Sequence, residues 1–278
     1  MRFLSLPDGT KVPVLGLGTW GLGERHTSGA DVVAALRLGL DLGMTLVDTA
    51  EMYGDGGAEE VVGEAVKDRR DDVFIVSKVY PQNAGRKKIS TACERSLKRL
   101  GTDRIDLYLL HWIGGVPFEE TVAGFEALRA GGKIRHWGVS NFDVHDMEKL
   151  AKVPSGSAAA TNQVLYNLER RGIEYDLLPW CAARRIPVMA YTPLGQSGRM
   201  LRSPVLASVA ARHGVTPAAV ALAFLLARPG VIVIPKAARV EHVRADAAAA
   251  SLGLDAEDIA GIEAAFPPPR RKEPLGIL

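Results

Sequence analysis

Four side chains in this sequence can together deliver a proton while a negative charge develops: a carboxylate, a phenol, an ammonium and an imidazole. Asp48 ends the apolar run Leu46-Val47, and Tyr53 follows five residues later, ahead of a glycine. Lys78 closes the run Val73-Phe-Ile-Val-Ser-Lys78, and His111 closes Ile105-Asp-Leu-Tyr-Leu-Leu-His111. A carbonyl reduced by hydride needs a proton for the developing alkoxide and a donor that polarises its oxygen. A phenol, with an ordinary pKa of about 10, is too weak an acid near neutrality unless a cation supports it. Lys78 can be that cation, Asp48 can hold Lys78 charged and oriented, and His111 can donate to the carbonyl oxygen. Taken singly, each has a plainer reading: a structural ion pair, a packed ring, a satisfied core imidazole. Taken together at one rim, they favour chemistry.

They meet only if the runs that carry them are neighbouring parallel strands. Strand-like runs occupy 14–18, 45–48, 73–79, 105–111, 134–139, 159–164, 187–191 and 231–235, with helical periods between them. Ala58, Val61, Val62, Ala65 and Val66 trace one face of a helix. Thr216-Pro217 opens another as N-cap and first residue. Gly43 and Gly101 terminate two more. Eight strand–helix alternations with unalternating apolar strands predict a parallel sheet covered outside, and the count and length suit a closed (β/α)₈ barrel. Segments 2–6 and 11–14 flank Pro7-Asp-Gly9 and predict an N-terminal β-hairpin closing the bottom. No linker or change of composition divides residues 1–278, so a single barrel domain is expected. In such a barrel Asp48, Lys78 and His111 stand at the C-terminal strand ends, the active face.

Gly16-Leu-Gly18-Thr-Trp-Gly21 matches the dinucleotide-binding glycine pattern, but residues 22–29 read as loop and Trp20 sits where backbone must come close. It is read as the first strand-to-helix loop. A formal charge of +2 with no long basic run gives no nucleic-acid face. Cys93 falls on the apolar stripe Ile89, Ala92, Cys93, Leu97, Leu100, a core position. Two cysteines give no disulfide framework, and no signal-peptide or membrane-spanning stretch is apparent. A cytoplasmic monomer acting on a small-molecule carbonyl substrate, with no nucleic acid and no membrane, is expected. A barrel metallohydrolase is disfavoured because His26, His136, His145, His213 and His242 fall away from the strand ends, and no metal is expected.

The motifs Asp48-Thr-Ala…Tyr53-Gly, Ser77-Lys78, Leu110-His111-Trp112, Gly138-Val-Ser140-Asn141-Phe142, Asn162-Gln163, Tyr191-Thr-Pro-Leu-Gly195 and Ile234-Pro-Lys236-Ala resemble the aldo-keto reductases in order and over nearly the whole chain. Ala50-Glu-Met-Tyr53 and Pro235-Lys-Ala-Ala238 are similar to the short bacterial members of methylglyoxal-reductase type. The resemblance implies a (β/α)₈ barrel, NADPH as cofactor with NADH possible, and Asp48, Tyr53, Lys78 and His111 as its tetrad. It implies Ser140, Asn141 and Gln163 at the nicotinamide carboxamide and Tyr191 stacked under the ring. Leu194 and Gly195 fall at the pyrophosphate and Lys236 at the adenosine 2′-phosphate. Two positions depart from the family: His242 stands where an arginine often grips that phosphate, and Ala245-Asp246 where Glu-Asn is usual. Histidine carries at most partial charge at neutral pH, and Asp246 is expected to repel phosphate, with Lys236, Arg239 and Arg244 compensating. Trp20, Met52 and Trp112 resemble substrate-pocket walls. The short loop after His111 and short tail after Phe266 imply an open site for small aldehydes, ketones and dicarbonyls. A non-catalytic nicotinamide-binding regulatory subunit of the same fold is the alternative.

Overall fold

The computed structural model describes residues 1–24 and 29–278. Residues 25–28 of the loop expected over 22–29, His26 among them, lie outside the described residues. The chain opens with the antiparallel strands β1 (Phe3–Ser5) and β2 (Lys11–Pro13). Gly9, at φ 94°, makes their turn and donates its N–H to Leu6 O at 2.9 Å. Eight parallel strands follow in sequence order: β3 (Leu17–Gly18), β4 (Leu46–Asp48), β5 (Phe74–Val79), β6 (Ile105–Leu110), β7 (Ile134–Ser140), β8 (Asn162–Leu165), β9 (Val188–Tyr191) and β10 (Val231–Ile234). Main-chain hydrogen bonds close the ring between its first and last members. Gly16 N donates to Val233 O at 2.9 Å, Gly18 N to Pro235 O at 2.8 Å, and Val233 N to Val14 O at 2.8 Å.

The expected run 14–18 shortens to a two-residue strand with isolated bridges beside it, at Leu15 and Gly18. Its glycines explain the seam. A Cβ on Gly16 would stand 2.8 Å from Leu46 O, and one on Gly18 would stand 2.9 Å from Ile234 O. These glycines let three strands approach closely. The glycine-rich pattern is therefore a closure device, and the next helix, α1 (Ala30–Asp41), begins well beyond it.

The other helices are α2 (Gly57–Val66), α3 (Lys88–Leu100), α4 (Phe118–Ala130), α5 (Val144–Lys152), α6 (Leu177–Ala183), α7 (Pro204–His213), α8 (Pro217–Leu226), α9 (Val240–Ala248) and α10 (Ala256–Ala265). Thr216 caps α8 by accepting from Ala219 N at 3.1 Å, with Pro217 in its first turn. Gly101 ends α3 in the left-handed conformation, at φ 62°. Cys93 lies in the layer between strands and helices, buried with Ile89, Ala92, Leu97 and Leu100. Among the described residues no single helix is long and apolar enough to cross a membrane.

The barrel interior forms a separate cluster of Leu46, Val76, Leu107, Leu109, Ala160, Met189, Ile232 and Ile234, with Leu6 and Val12 from the hairpin arms. The hairpin thus plugs the end where the strands begin, and burying each of those two side chains is worth about 1.5–3 kcal/mol. Because side chains alternate along a strand, each inward-facing apolar residue is followed two positions later by another inward one. Leu46 leads to Asp48, Val76 to Lys78, Leu109 to His111 and Met189 to Tyr191. The apolar layers end there, and a polar layer tops the barrel.

Candidate active site

Lys78 sits at the centre of that layer, fully buried on β5. Its ammonium donates to Asp48 Oδ2 at 2.8 Å, to Thr49 O at 2.9 Å and to Tyr53 Oη at 3.0 Å. An ammonium has three protons, and all three are placed. The Asp48 carboxylate accepts in addition from Gln163 Nε2 at 2.7 Å. Tyr53 reaches the ammonium because the chain turns just after β4, with Tyr53 N donating to Ala50 O at 3.1 Å, and beyond it Gly54 and Asp55 are both left-handed at φ 57° and 52°. Its ring meets the His111 imidazole edge to face, 5.8 Å between centroids. The four residues expected to converge lie together at one rim.

Burial works against every charge here. It pulls the Lys78 ammonium down, but Asp48 and Tyr53 more than offset it and hold the lysine charged, above its ordinary value. Burial also pushes the Tyr53 phenol up, and Lys78 opposes that push without overcoming it. Tyr53 is therefore a phenol that keeps its proton, rather than one tuned down toward neutrality. Since its oxygen already accepts from Lys78, its own proton is directed elsewhere. His111 is driven the other way, down to about 2, by burial first and then by the charge of Lys78. It is a neutral imidazole. Its Nδ1 is buried without a partner, and a buried orphan donor costs more than an unfilled lone pair of a ring nitrogen. The proton is best assigned to Nε2, which makes that nitrogen the donor.

Beside the tetrad, Ser140, Asn141, Gln163 and Tyr191 form one connected group. Ser140 Oγ donates to Gln163 O at 2.8 Å and accepts from Asn141 Nδ2 at 3.2 Å. Asn141 Nδ2 also donates to His111 O at 3.1 Å, and Asn141 Oδ1 accepts from Tyr191 Oη at 2.9 Å. Both amide protons of Gln163 point at protein, to Asp48 and to Met189 Sδ at 2.9 Å. Spare acceptor capacity remains on Ser140 Oγ, Asn141 Oδ1 and Gln163 Oε1. Asn141 and Thr192 hold left-handed backbone at φ 62° and 51°, and strain in non-glycine residues gathers at functional rims. Past Tyr191 the chain turns through Leu194, half-buried on the core, to Gly195 at φ 67°.

Lys236 is exposed, with its ammonium near Gly21 in the first strand-to-helix loop. Arg239 stands 3.1 Å from His242 Nε2 across the start of α9, so a guanidinium occupies the neighbourhood where the histidine departs from the family. Two expectations need correction. Arg244 does not join them, since it lines a groove with Met1 and Leu42, on the side where the strands begin. Asp246 is not a charge facing solvent either. It is 3% exposed on the inner side of α9, and burial pushes its carboxyl up to about 7. The i, i+3 spacing from Val243, also buried, turns it inward.

The three expected wall residues differ in placement. Trp112 packs on the tetrad, with its ring 4.8 Å from His111, whereas Trp20 and Met52 are exposed at 51% and 38%. Tyr80 completes the wall with its ring edge-on to Trp112 at 5.8 Å. The sequence held a signal for it: Tyr80 is two residues past Lys78 and shares its side of the strand.

The sequence profile of the Aldo/keto reductase family matches residues 14–266. Over all of its length the chain is 50% identical to methylglyoxal reductase YeaE of Escherichia coli (strain K12), 99% of which is covered. It is 33% identical to glyoxal reductase of Bacillus subtilis (strain 168), over 94% of this chain and 91% of that one. A crystal structure of an aldo-keto reductase from Klebsiella pneumoniae in complex with NADPH superposes with a TM-score of 0.97 at 50% identity, covering 100% of this chain and 99% of that one. The thermostable aldo-keto reductase Tm1743, in complex with the inhibitor epalrestat, gives 0.85 at 40% identity, covering 95% and 99%.

Proposed function

The chain belongs to the aldo/keto reductase family, and from that premise we propose that it reduces small aldehydes, ketones and dicarbonyls of the methylglyoxal kind to alcohols with NADPH. The observation that carries this reading is the single ammonium of Lys78 shared by Asp48 and Tyr53, which leaves the phenolic proton free to be given away.

The residues present fit a nicotinamide cofactor. Three oxygens with spare lone pairs, on Ser140, Asn141 and Gln163, suit the N–H groups of a carboxamide, and the half-buried Tyr191 ring offers a stacking face beside them. Leu194 and Gly195 would hold the pyrophosphate, and Lys236 with the Arg239–His242 pair would meet the 2′-phosphate. When bound, the reduced nicotinamide supplies the hydride. His111 Nε2–H donates to the carbonyl oxygen and aligns it. Tyr53 gives its proton to the oxygen as negative charge builds, and Lys78 stabilises the phenolate that remains. Asp48 keeps Lys78 charged through that change and takes no proton itself. An acid that holds its proton until an alkoxide takes it suits this order of events. The wall of Trp112, Tyr80, Trp20 and Met52 admits small substrates. The two free, buried thiols, Cys93 and Cys181, suit a reducing compartment. The proposal takes residues 1–278 as one domain working as a cytoplasmic monomer.

The test is a panel of aldehydes, ketones and dicarbonyls with NADPH and NADH in parallel, following cofactor oxidation. Turnover of methylglyoxal-like dicarbonyls with NADPH is expected. Cofactor binding without oxidation across the whole panel would sink the enzymatic reading in favour of a non-catalytic cofactor-binding subunit.

A further inference from the structure

The loop from Asp48 to Tyr53 must hold two tetrad members in register with a third on the neighbouring strand, yet only Leu46–Asp48 is strand. Beyond Asp48 the two backbones diverge. Thr49 N still reaches Val76 O at 2.8 Å, but the next rung, Glu51 N to Lys78 O, has stretched to 3.4 Å. The following N–H on β5's continuation, that of Tyr80, has no carbonyl opposite it. It donates instead to the side chain of Glu51, at 2.8 Å to Oε1. The same oxygen accepts from Asn83 Nδ2 at 3.1 Å, and Oε2 faces Arg95 on α3 at 3.4 Å.

Glu51 is a carboxylate only 7% exposed, two residues before Tyr53 and in the same turn. Burying a carboxylate is unfavourable unless its lone pairs are filled. Here they are filled by a backbone amide and a side-chain amide from the turn after β5 and by a guanidinium from α3. Its main chain and side chain straddle Lys78, one meeting that residue's carbonyl and the other the amide two residues on. We propose that Glu51 is a positioning residue: it supplies the missing rung between β4 and β5 and so fixes Tyr53 Oη against Lys78 Nζ. It also sets the backbone of Tyr80, whose ring abuts Trp112 beside His111. Glu51 does not touch the reacting atoms. The inference rests on the carbonyl-reductase reading above.

The experiment compares wild type, Glu51→Gln, Glu51→Ala and Glu51→Asp in steady-state reduction of the best carbonyl of the panel, with full pH profiles of kcat. Glutamine keeps an acceptor within reach of Tyr80 N, whereas alanine and aspartate lose it through absence or shortness. Glu51→Gln is expected to stay within about threefold of wild type. Glu51→Ala and Glu51→Asp should lose about tenfold or more in kcat, keep their cofactor dissociation constants, and shift the alkaline limb of the profile as Lys78 loses its hold on the Tyr53 oxygen. Should alanine fail to fold, the aspartate–glutamine comparison carries the same contrast. Folded Ala or Asp variants with wild-type kcat and profile would overturn the assignment, as would a glutamine variant as impaired as alanine. A wild-type protein inactive on every carbonyl would instead overturn the reductase reading itself, which keeps the two failures distinct.

Discussion

Two buried ion clusters stand at opposite ends of this barrel, and only one of them presents a transferable proton at the rim where the strands end. Where the strands begin, the Asp106 carboxylate accepts from Arg70 Nη2 at 2.7 Å and from Ile75 N at 2.9 Å, with Arg135 at 3.3 Å. Arg70 also donates to Thr102 Oγ1, Val73 O and Arg104 O. Those bonds lock the strand starts together, with Arg104 Nε buried and without a partner beside them. Where the strands end, the Asp48–Lys78 pair is as short and as buried, yet it holds a phenol whose proton is unassigned and an imidazole with no partner at Nδ1. Burial and pairing alone do not mark an active site. A phenolic proton held beside a buried ammonium, at the rim where the strands end, does.

The contrast breaks if the two clusters respond alike to mutation. Lys78→Met should abolish turnover, and because it strands the Asp48 carboxylate it should also cost about 3–5 kcal/mol of stability. Arg70→Met leaves Asp106 with Arg135 and Ile75 N and should cost stability too, though less, with kcat per folded molecule unchanged. Melting curves together with activity on protein verified as folded separate the two; an equal loss of kcat in both would erase the distinction.

Tyr53→Phe sharpens it further by removing the phenolic hydroxyl, both the unspent proton and the oxygen that accepts from Lys78. Reduction should fall by at least the 10²–10⁴-fold, roughly, that general acids contribute. The cofactor dissociation constant should stay near wild type. Near-native turnover in this variant would take Tyr53 out of the mechanism.

The charges outside the barrel are expected to matter less. Lys236→Ala should weaken NADPH about tenfold or more and NADH little, since a charge-assisted contact to phosphate is lost. His242→Arg should strengthen NADPH by adding a planar, two-pronged donor. Cofactor titrations of each variant check both, and equal weakening of the two cofactors by Lys236→Ala would detach that lysine from the phosphate.

At the buried Asp246 carboxyl the expected effect is on stability rather than on turnover. Asp246 is raised from its ordinary value to about 7, so the folded protein holds a proton that the unfolded chain has released between about pH 4 and pH 7. Its contribution to stability is therefore present at low pH and is lost as pH rises through 7. Asp246→Asn should remove that dependence and raise stability at pH 8 by about 2–4 kcal/mol. Chemical denaturation at pH 5 and pH 8 measures it, and an identical pH response in the variant would refute the burial argument. His111, held neutral down to about 2, should leave no histidine limb in the kcat profile between pH 5 and 8.

Much of this was legible in the sequence because barrels convert order into geometry. A polar residue at the end of an apolar run, repeated at Asp48, Lys78 and His111, needs only parallel neighbouring strands to become a cluster. The period of two along each strand then decides which side chains face inward. The hairpin turn, the α8 cap and the glycine after α3 rest on backbone preferences local to a few residues.

Other features depended on the three-dimensional arrangement. Gln163 meets Asp48 across 115 residues of chain, and no local pattern encodes that contact. The glycines at Gly16 and Gly18 imitate a nucleotide loop in sequence, and only the closing strand at Ile234 reveals their use. Glu51 looks like a solvated loop carboxylate until the divergence of β4 and β5 leaves an amide for it to satisfy. Asp246 looks like a surface charge until α9 settles with that face inward. Residue type and spacing determined which groups this protein has for chemistry. Burial and the competition for hydrogen-bond partners, which exist only in the folded chain, decided which of those groups remain free to act.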